Sequence, residues 1–207
     1  MGHVTTIYHA GDGDDDDDPT ELAMLARGGW LRPLIGEVYV PINAVEDVAL
    51  RAEGLRQLLP LAVPDHEAIA CLEVASWLQA GGAPPEELDV YVPAHRSRRR
   101  FRGLRVHEGR LDPRDVETVG TVRVTGPART AADLCRYRPG DVALPHLERL
   151  RTATGLQPRS VLAVLDRMVR HRGVPHGRDV VQIWAARLVR DVRDVRGLQS
   201  VRRPVTR

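Results

Sequence analysis

The chain divides by charge near residue 92. Residues 1–92 hold 17 acids and only 4 arginines, a net of −13, whereas residues 93–207 hold 26 arginines against 11 acids, a net of +15. The formal total of +2 hides this split. A fold built on such a chain must pair the excess charge internally or present it to a partner. The pattern predicts an acidic end joined to a basic body, with polyanions as partners of the second part.

All 30 basic residues are arginine and none is lysine. A G- and C-rich genome explains that bias, but its chemical consequence holds regardless. There is no lysine for a P-loop, for a kinase site, for a Schiff base or for a restriction-type nuclease core. The apolar fraction of 43% suits a folded chain, and with aromatics at 4% the core must come mainly from Leu, Val and Ala. Cys71 and Cys135 sit in apolar contexts and read as buried free thiols in a reducing compartment. No basic region followed by an apolar run opens the chain, and no apolar stretch approaches membrane-spanning length. A cytoplasmic protein without membrane contact is expected.

Residues 1–17 read as a disordered acidic tail, because the Asp14–Asp18 run repels itself and buries nothing. Asp18, Pro19 and Glu21 form a helix start, and Gly28-Gly29 a stop. Trp30–Leu34 and Glu37–Val40 predict a hairpin turning at Ile35-Gly36. A short helix followed by such a wing, over residues 18–42, is the rear half of a winged helix. Asn43 and Glu46 suggest a cap for a helix reaching Leu59, with Val45, Val48, Ala49, Ala52, Leu55 and Leu59 on its apolar side. A helix over 65–80 follows. Strands are predicted at 88–92 and 104–107, and at 116–119 and 121–124 around Gly120. Helices are predicted at 127–137, 140–153, 159–171 and 178–196, ahead of a basic tail over 198–207. The class is α+β: a reduced N-terminal winged-helix element, then a unit over 43–197 with a short mixed sheet and a helical C-terminal part.

The strongest ligand candidate is Arg96-Ser97-Arg98-Arg99-Arg100-Phe101-Arg102, followed by Arg105. Closely spaced guanidinium groups around one aromatic ring suit phosphate contact and base stacking, with little sequence specificity and a steep salt dependence. The alternative is a solvated loop between two strands. Arg129 and Asp133 are four apart and can pair on one helix face, beside Thr130, with Thr125 or Gly126 as the cap. The ligand-binding alternative there is a phosphate or acidic group at the helix N-terminus. The last predicted helix alternates Arg187, Asp191, Arg190 and Asp194 opposite an apolar face of Val181, Trp184, Leu188 and Val192. The histidines fit no metal-ligand spacing, His66-Glu67 lacks the second His of a zinc-protease helix, and no serine stands in a nucleophile-elbow setting. No catalytic residue, metal or cofactor is expected.

Three segments together resemble the AbiEi family, the antitoxins of type IV abortive-infection toxin–antitoxin pairs. They are Arg27–Arg32 running on through Gly36–Val40, Ala62–Ala70, and Val122–Leu134 with its Arg129-Thr130 and Asp133-Leu134. The third is the most specific, and the resemblance covers roughly residues 20–150. It implies a winged-helix end that binds promoter DNA, through Arg27 and Arg32 here, and a body that opposes a nucleotidyltransferase toxin. A stand-alone DNA-binding regulator is the alternative. A complete winged helix has about three helices, the third of which enters the major groove. This sequence offers one before its wing.

Overall fold

In the computed structural model, residues 6–10, 18–59, 68–92, 104–109, 111–168 and 170–201 are described, the last eleven of them by backbone alone. The chain is α+β. At its N-terminal end, β1 (Tyr8–His9), α1 (Pro19–Arg27), β2 (Leu31–Ile35) and β3 (Val38–Pro41) make a small module. Its antiparallel sheet has the order β1-β3-β2. Asp18 caps α1 by accepting from the Thr20 amide at 2.7 Å, as expected. The two β1 residues correct the reading of 1–17 as a tail throughout: Tyr8 pairs with Tyr39 and His9 with Val38. Two residues are too short to give a strand signal without their partner.

The sheet alternates in period two. Val38 and Val40 face the main core, while Leu31 packs with Leu22 of α1 and Ala10. The next helix, α2 (Val48–Leu58), starts later than predicted, because Asp47 rather than Asn43 takes the cap, accepting from the Leu50 amide at 2.8 Å. That shift corrects the predicted apolar side. Leu50, Ala52 and Leu55 are buried, whereas Val45 and Val48 are exposed.

The second sheet has the order β6-β5-β4-β8-β7, from β4 (Ile69–Ala70), β5 (Leu88–Val92), β6 (Leu104–Glu108), β7 (Val116–Val119) and β8 (Val122–Thr125). β7 and β8 form the expected hairpin around Gly120. β5 and β6 pair in parallel, so the exit of β5 and the entry of β6 lie at opposite ends of the pair. Ile69 and Ala70 correct the predicted helix over 65–80. They form a strand antiparallel to β5 and parallel to β8, and α3 begins only at Leu72 (Leu72–Ala80). Leu72 makes that junction with φ 51°, a left-handed value unusual for a branched residue. It is fully buried there, so packing holds the turn.

Helices α4 (Pro127–Tyr137), α5 (Gly140–Thr154), α6 (Pro158–Arg167) and α7 (Val174–Val201) pack on one another, and α4 and α5 pack on α3, which lies against β5. Their core includes Leu134, Leu147, Leu150, Leu165, Val181 and Trp184, together with Ile69 and Tyr91 from the strands. Ala70, Val90, Val92 and Val124 point the other way, into the core shared with α2 and the N-terminal sheet. Each buried Leu or Val contributes about 1.5–3 kcal/mol of transfer free energy, most of which offsets chain ordering. No helix among the described residues is long and apolar enough to cross a membrane.

Candidate functional site

The segment after β8 sets the geometry. Thr125 ends the strand, Gly126 caps α4 without a side-chain bond, and Pro127 takes the first helical turn. The Thr125 and Thr130 hydroxyls lie 2.7 Å apart. Thr130 also donates to the Thr125 carbonyl at 2.8 Å, and Gln79 donates to the same oxygen at 2.7 Å. The strand-to-helix turn is thus closed from both sides.

One turn on, Arg129 Nε donates to Asp133 Oδ2 at 2.7 Å, the pair expected from their spacing. The other partners were not predicted. Arg129 Nη1 also donates to Asp115 at 3.2 Å, Arg136 Nη1 donates to Asp133 Oδ1 at 2.8 Å, and Arg167 of α6 donates to Asp115. Tyr91 of β5 donates to Asp133 at 3.4 Å, and Arg136 donates to the Arg172 carbonyl at 2.9 Å through Nε. Asp133 is fully buried, and the side chains of Arg129 and Arg136 are 7% and 2% exposed. Burial opposes the charge on Arg129, but the neighbouring Asp133 carboxylate overcomes it and the guanidinium is held more strongly protonated than usual. Burial and the same carboxylate push the Tyr91 phenol upward. Every charged group in this network meets an internal partner. Its chemistry is that of a joint tying β5, the turn before β7, α4, α6 and the entry to α7, with Arg167 reaching the surface and Asp115 and Arg129 lining a cavity beside α4.

A second polar cluster lies where β5, β6 and α3 meet. Asp89, 2% exposed, meets His107 Nε2 at 2.6 Å and Arg138 Nη2 at 3.4 Å. Arg138 Nε also donates to Glu73 at 2.5 Å. Burial works against the Glu73 charge, but Arg138 outweighs it and the carboxyl sits below its usual range. Nearby, His146 Nδ1 accepts from Arg149 Nη2 at 3.0 Å and lies 2.9 Å from Ser76 Oγ. Burial and Arg149 both lower the His146 pKa. This Ser–His contact is not visible in the sequence, since the residues are 70 apart. Ser76 is fully buried on α3, so its hydroxyl is closed to a substrate. Burial raises the pKa of both thiols, Cys135 to about 12, and keeps them unreactive. Among the described residues, no three His, Cys, Asp or Glu side chains come together as a metal set.

A cavity of about 270 Å³ opens beside the α4 N-terminus, lined by Arg114, Glu117, Gly126, Arg129, Gly155 and Ser160 among others. The Glu117 carboxylate lies against Gly126: a Cβ added there would stand 2.8 Å from Glu117 Oε1. Glu117 thus shares the lining of this opening with Arg114 and Arg129, and both signs of charge meet there.

The predicted nucleic-acid residues separate. Arg96, Arg98, Arg99, Arg100 and Arg102 lie outside the described residues. Arg105 on β6 is ion-paired with Glu87. Arg32 donates to Glu46 at 3.2 Å and to the Ala44 carbonyl at 3.3 Å, while Arg27 stands exposed at the end of α1. Elsewhere Arg123, Arg159, Arg170 and Arg172 are exposed, with no acidic partner among the described residues.

No protein-family model matches the chain, and no curated protein does. Among solved structures, it is similar to the RV2827C protein from Mycobacterium tuberculosis, at 14% identity and a TM-score of 0.40 over 81% of this chain. The chain spans 66% of that protein's length. A likeness of this degree assigns no activity.

Proposed function

We propose that this chain is a non-enzymatic, cytoplasmic antitoxin of the AbiEi type, which neutralises a nucleotidyltransferase toxin by direct protein–protein contact. Its basic half contacts promoter DNA. The observation that carries the reading is how two of the resembling segments meet. Ala70, which ends the second, pairs in parallel with Val124 of the third. The Thr125–Asp133 motif that follows is closed by the buried Arg129–Asp133–Arg136 network. That placement supports a scaffold motif over a reaction centre. The exposed arginines without acidic partners support a polyanion contact through the body.

Co-expression with the product of the neighbouring reading frame tests this. Growth rescue together with co-purification is the expected result, and a neighbour that is neither toxic nor retained overturns it. The DNA contact is tested by a fluorescence titration on the upstream region. Replacing Arg98, Arg99 and Arg100 by Ala weakens binding and flattens its salt dependence without altering the melt. Unchanged affinity removes that segment from the interface.

A further inference from the structure

The turn that joins α6 to α7 lies at the surface, yet the buried network holds it. Arg136 donates to the Arg172 carbonyl twice, from Nε at 2.9 Å and from Nη2 at 2.8 Å, while its Nη1 stays on Asp133. Gly173 follows with φ 80°, and a Cβ added there would stand 2.5 Å from the Arg136 carbonyl oxygen, so a side chain would displace the α4 backbone. The His171 amide donates to the Met168 carbonyl at 2.8 Å, and His176 Nε2 to the Arg138 carbonyl at 3.2 Å. Met168 and Val174, at the two ends of the turn, are both buried.

The side chains carried by this fixed backbone are cationic. Arg170, His171 and Arg172 are all exposed. Residues 166–179 hold Arg167, Arg170, Arg172 and Arg178 against Asp166 and Asp179, a net of +2. Arg167 is engaged by Asp115 and Arg178 by Asp166. Arg170 and Arg172 have no acidic partner among the described residues, and Asp179 stands five residues past the start of α7, about 8 Å along its axis. Among the described residues, no large apolar side chain is exposed from Met168 to Gln182. A protein interface is built around an apolar or aromatic anchor, and this surface has none. Fixed guanidinium groups without an anchor suit phosphate, which they grip by charge and by paired N–H donors. Arg170 and Arg172 are two residues apart, at most about 7 Å of chain. That span matches two phosphate steps of about 3.4 Å each along one DNA strand.

We infer that the Arg170–Arg172 turn grips the phosphate backbone of duplex DNA without reading its bases. The inference rests on the DNA contact proposed above and places it on the α6–α7 unit. A contact of this kind fixes register on the duplex and leaves sequence choice to other residues. Because the turn is ordered before binding, little backbone freedom is lost on contact.

The experiment measures fluorescence anisotropy of the full-length chain on the upstream duplex and on an unrelated duplex of equal length, across a salt series. Arg170→Ala with Arg172→Ala weakens binding to both duplexes alike and lowers the slope of log K against log salt by about two, one for each lost phosphate contact. Arg170→Lys with Arg172→Lys restores the slope, since counterion release counts charges. Arg56→Ala with Arg151→Ala removes two exposed arginines already paired with Glu53 and Glu148, and leaves the slope at the parent's value. Melting curves of all these variants stay near the parent's, because the side chains are exposed. An unchanged slope after Arg170→Ala with Arg172→Ala overturns the inference while the DNA contact stands. An equal fall after Arg56→Ala with Arg151→Ala also overturns it, since net charge rather than the turn then carries the effect. Weakening confined to the upstream duplex overturns it as well, because the turn then reads sequence. A parent that binds neither duplex overturns it together with the DNA contact, and leaves the toxin contact to the co-expression test.

Discussion

The N-terminal module and the helical body use the same side chains in opposite ways. In the module the ion pair Arg32–Glu46 lies at the surface, with the two side chains 25% and 29% exposed, while Trp30 and Met24 stand in solvent. In the body, Asp133 and its two arginines are sealed inside and Trp184 is fully buried, its indole nitrogen donating to Glu148 at 2.8 Å. A surface pair holds little. A buried network is costly to assemble and fixes one arrangement of helices on the sheet. The body is therefore the locked part of the molecule and the module the loosely tied one.

The sharpest way to break this comparison is to remove the acid that two buried arginines share. Asp133→Ala leaves Arg136 without a carboxylate and Arg129 with Asp115 alone, both out of water. Losing one partner of a buried pair costs about 3–5 kcal/mol. Urea denaturation should show a loss of that size or a chain that no longer folds. A loss below about 1 kcal/mol would place the network with ordinary surface pairs.

Legibility in the sequence follows the same division. The cap at Asp18, the hairpin around Gly120 and the α4 start at Pro127 are written in neighbouring residues, and the structure keeps them. Arg129–Asp133 is equally local. Arg136 lies only three residues from Asp133, and the same helical reasoning could have found it. Asp115–Arg167 and Tyr91–Asp133 join residues 52 and 42 apart and have no local signal. β4 was hidden for another reason. Ile69, Leu72 and Trp77 fit helical spacing, but Ile69–Ala70 is drawn into the sheet by strands on both sides. The exposure of Val45 was hidden by the late start of α2, which puts it outside the helix whose core it was expected to join.

A smaller effect separates the half-buried cluster from both extremes. Glu73 titrates below its ordinary value of 4.5 because Arg138 outweighs burial. A carboxyl with a depressed folded pKa adds stability that is complete above the unfolded value and disappears as pH falls through the folded one. Glu73→Gln should therefore lower the melting temperature at pH 7 by the equivalent of about 1 kcal/mol, given partial screening. The difference from the parent should shrink as pH falls below 4.5 and vanish once the parent carboxyl is protonated. A gap that persists unchanged into strong acid would mean that packing, not charge, holds Arg138.

The smallest effect belongs to the module. Arg32→Ala removes a pair whose members are both well hydrated, along with one bond to the Ala44 carbonyl. Exposed pairs contribute about 0.2–1 kcal/mol, so the melt should move by a degree or two at most. The informative readout is salt. A surface pair loses its contribution as ionic strength rises, because screening acts at about 10 Å in 0.1 M salt. Parent and Arg32→Ala should therefore converge at high salt, whereas Asp133→Ala should stay destabilised under the same conditions. Arg32→Ala costing as much as Asp133→Ala, or both gaps closing together with salt, would erase the distinction between a loosely tied module and a locked frame.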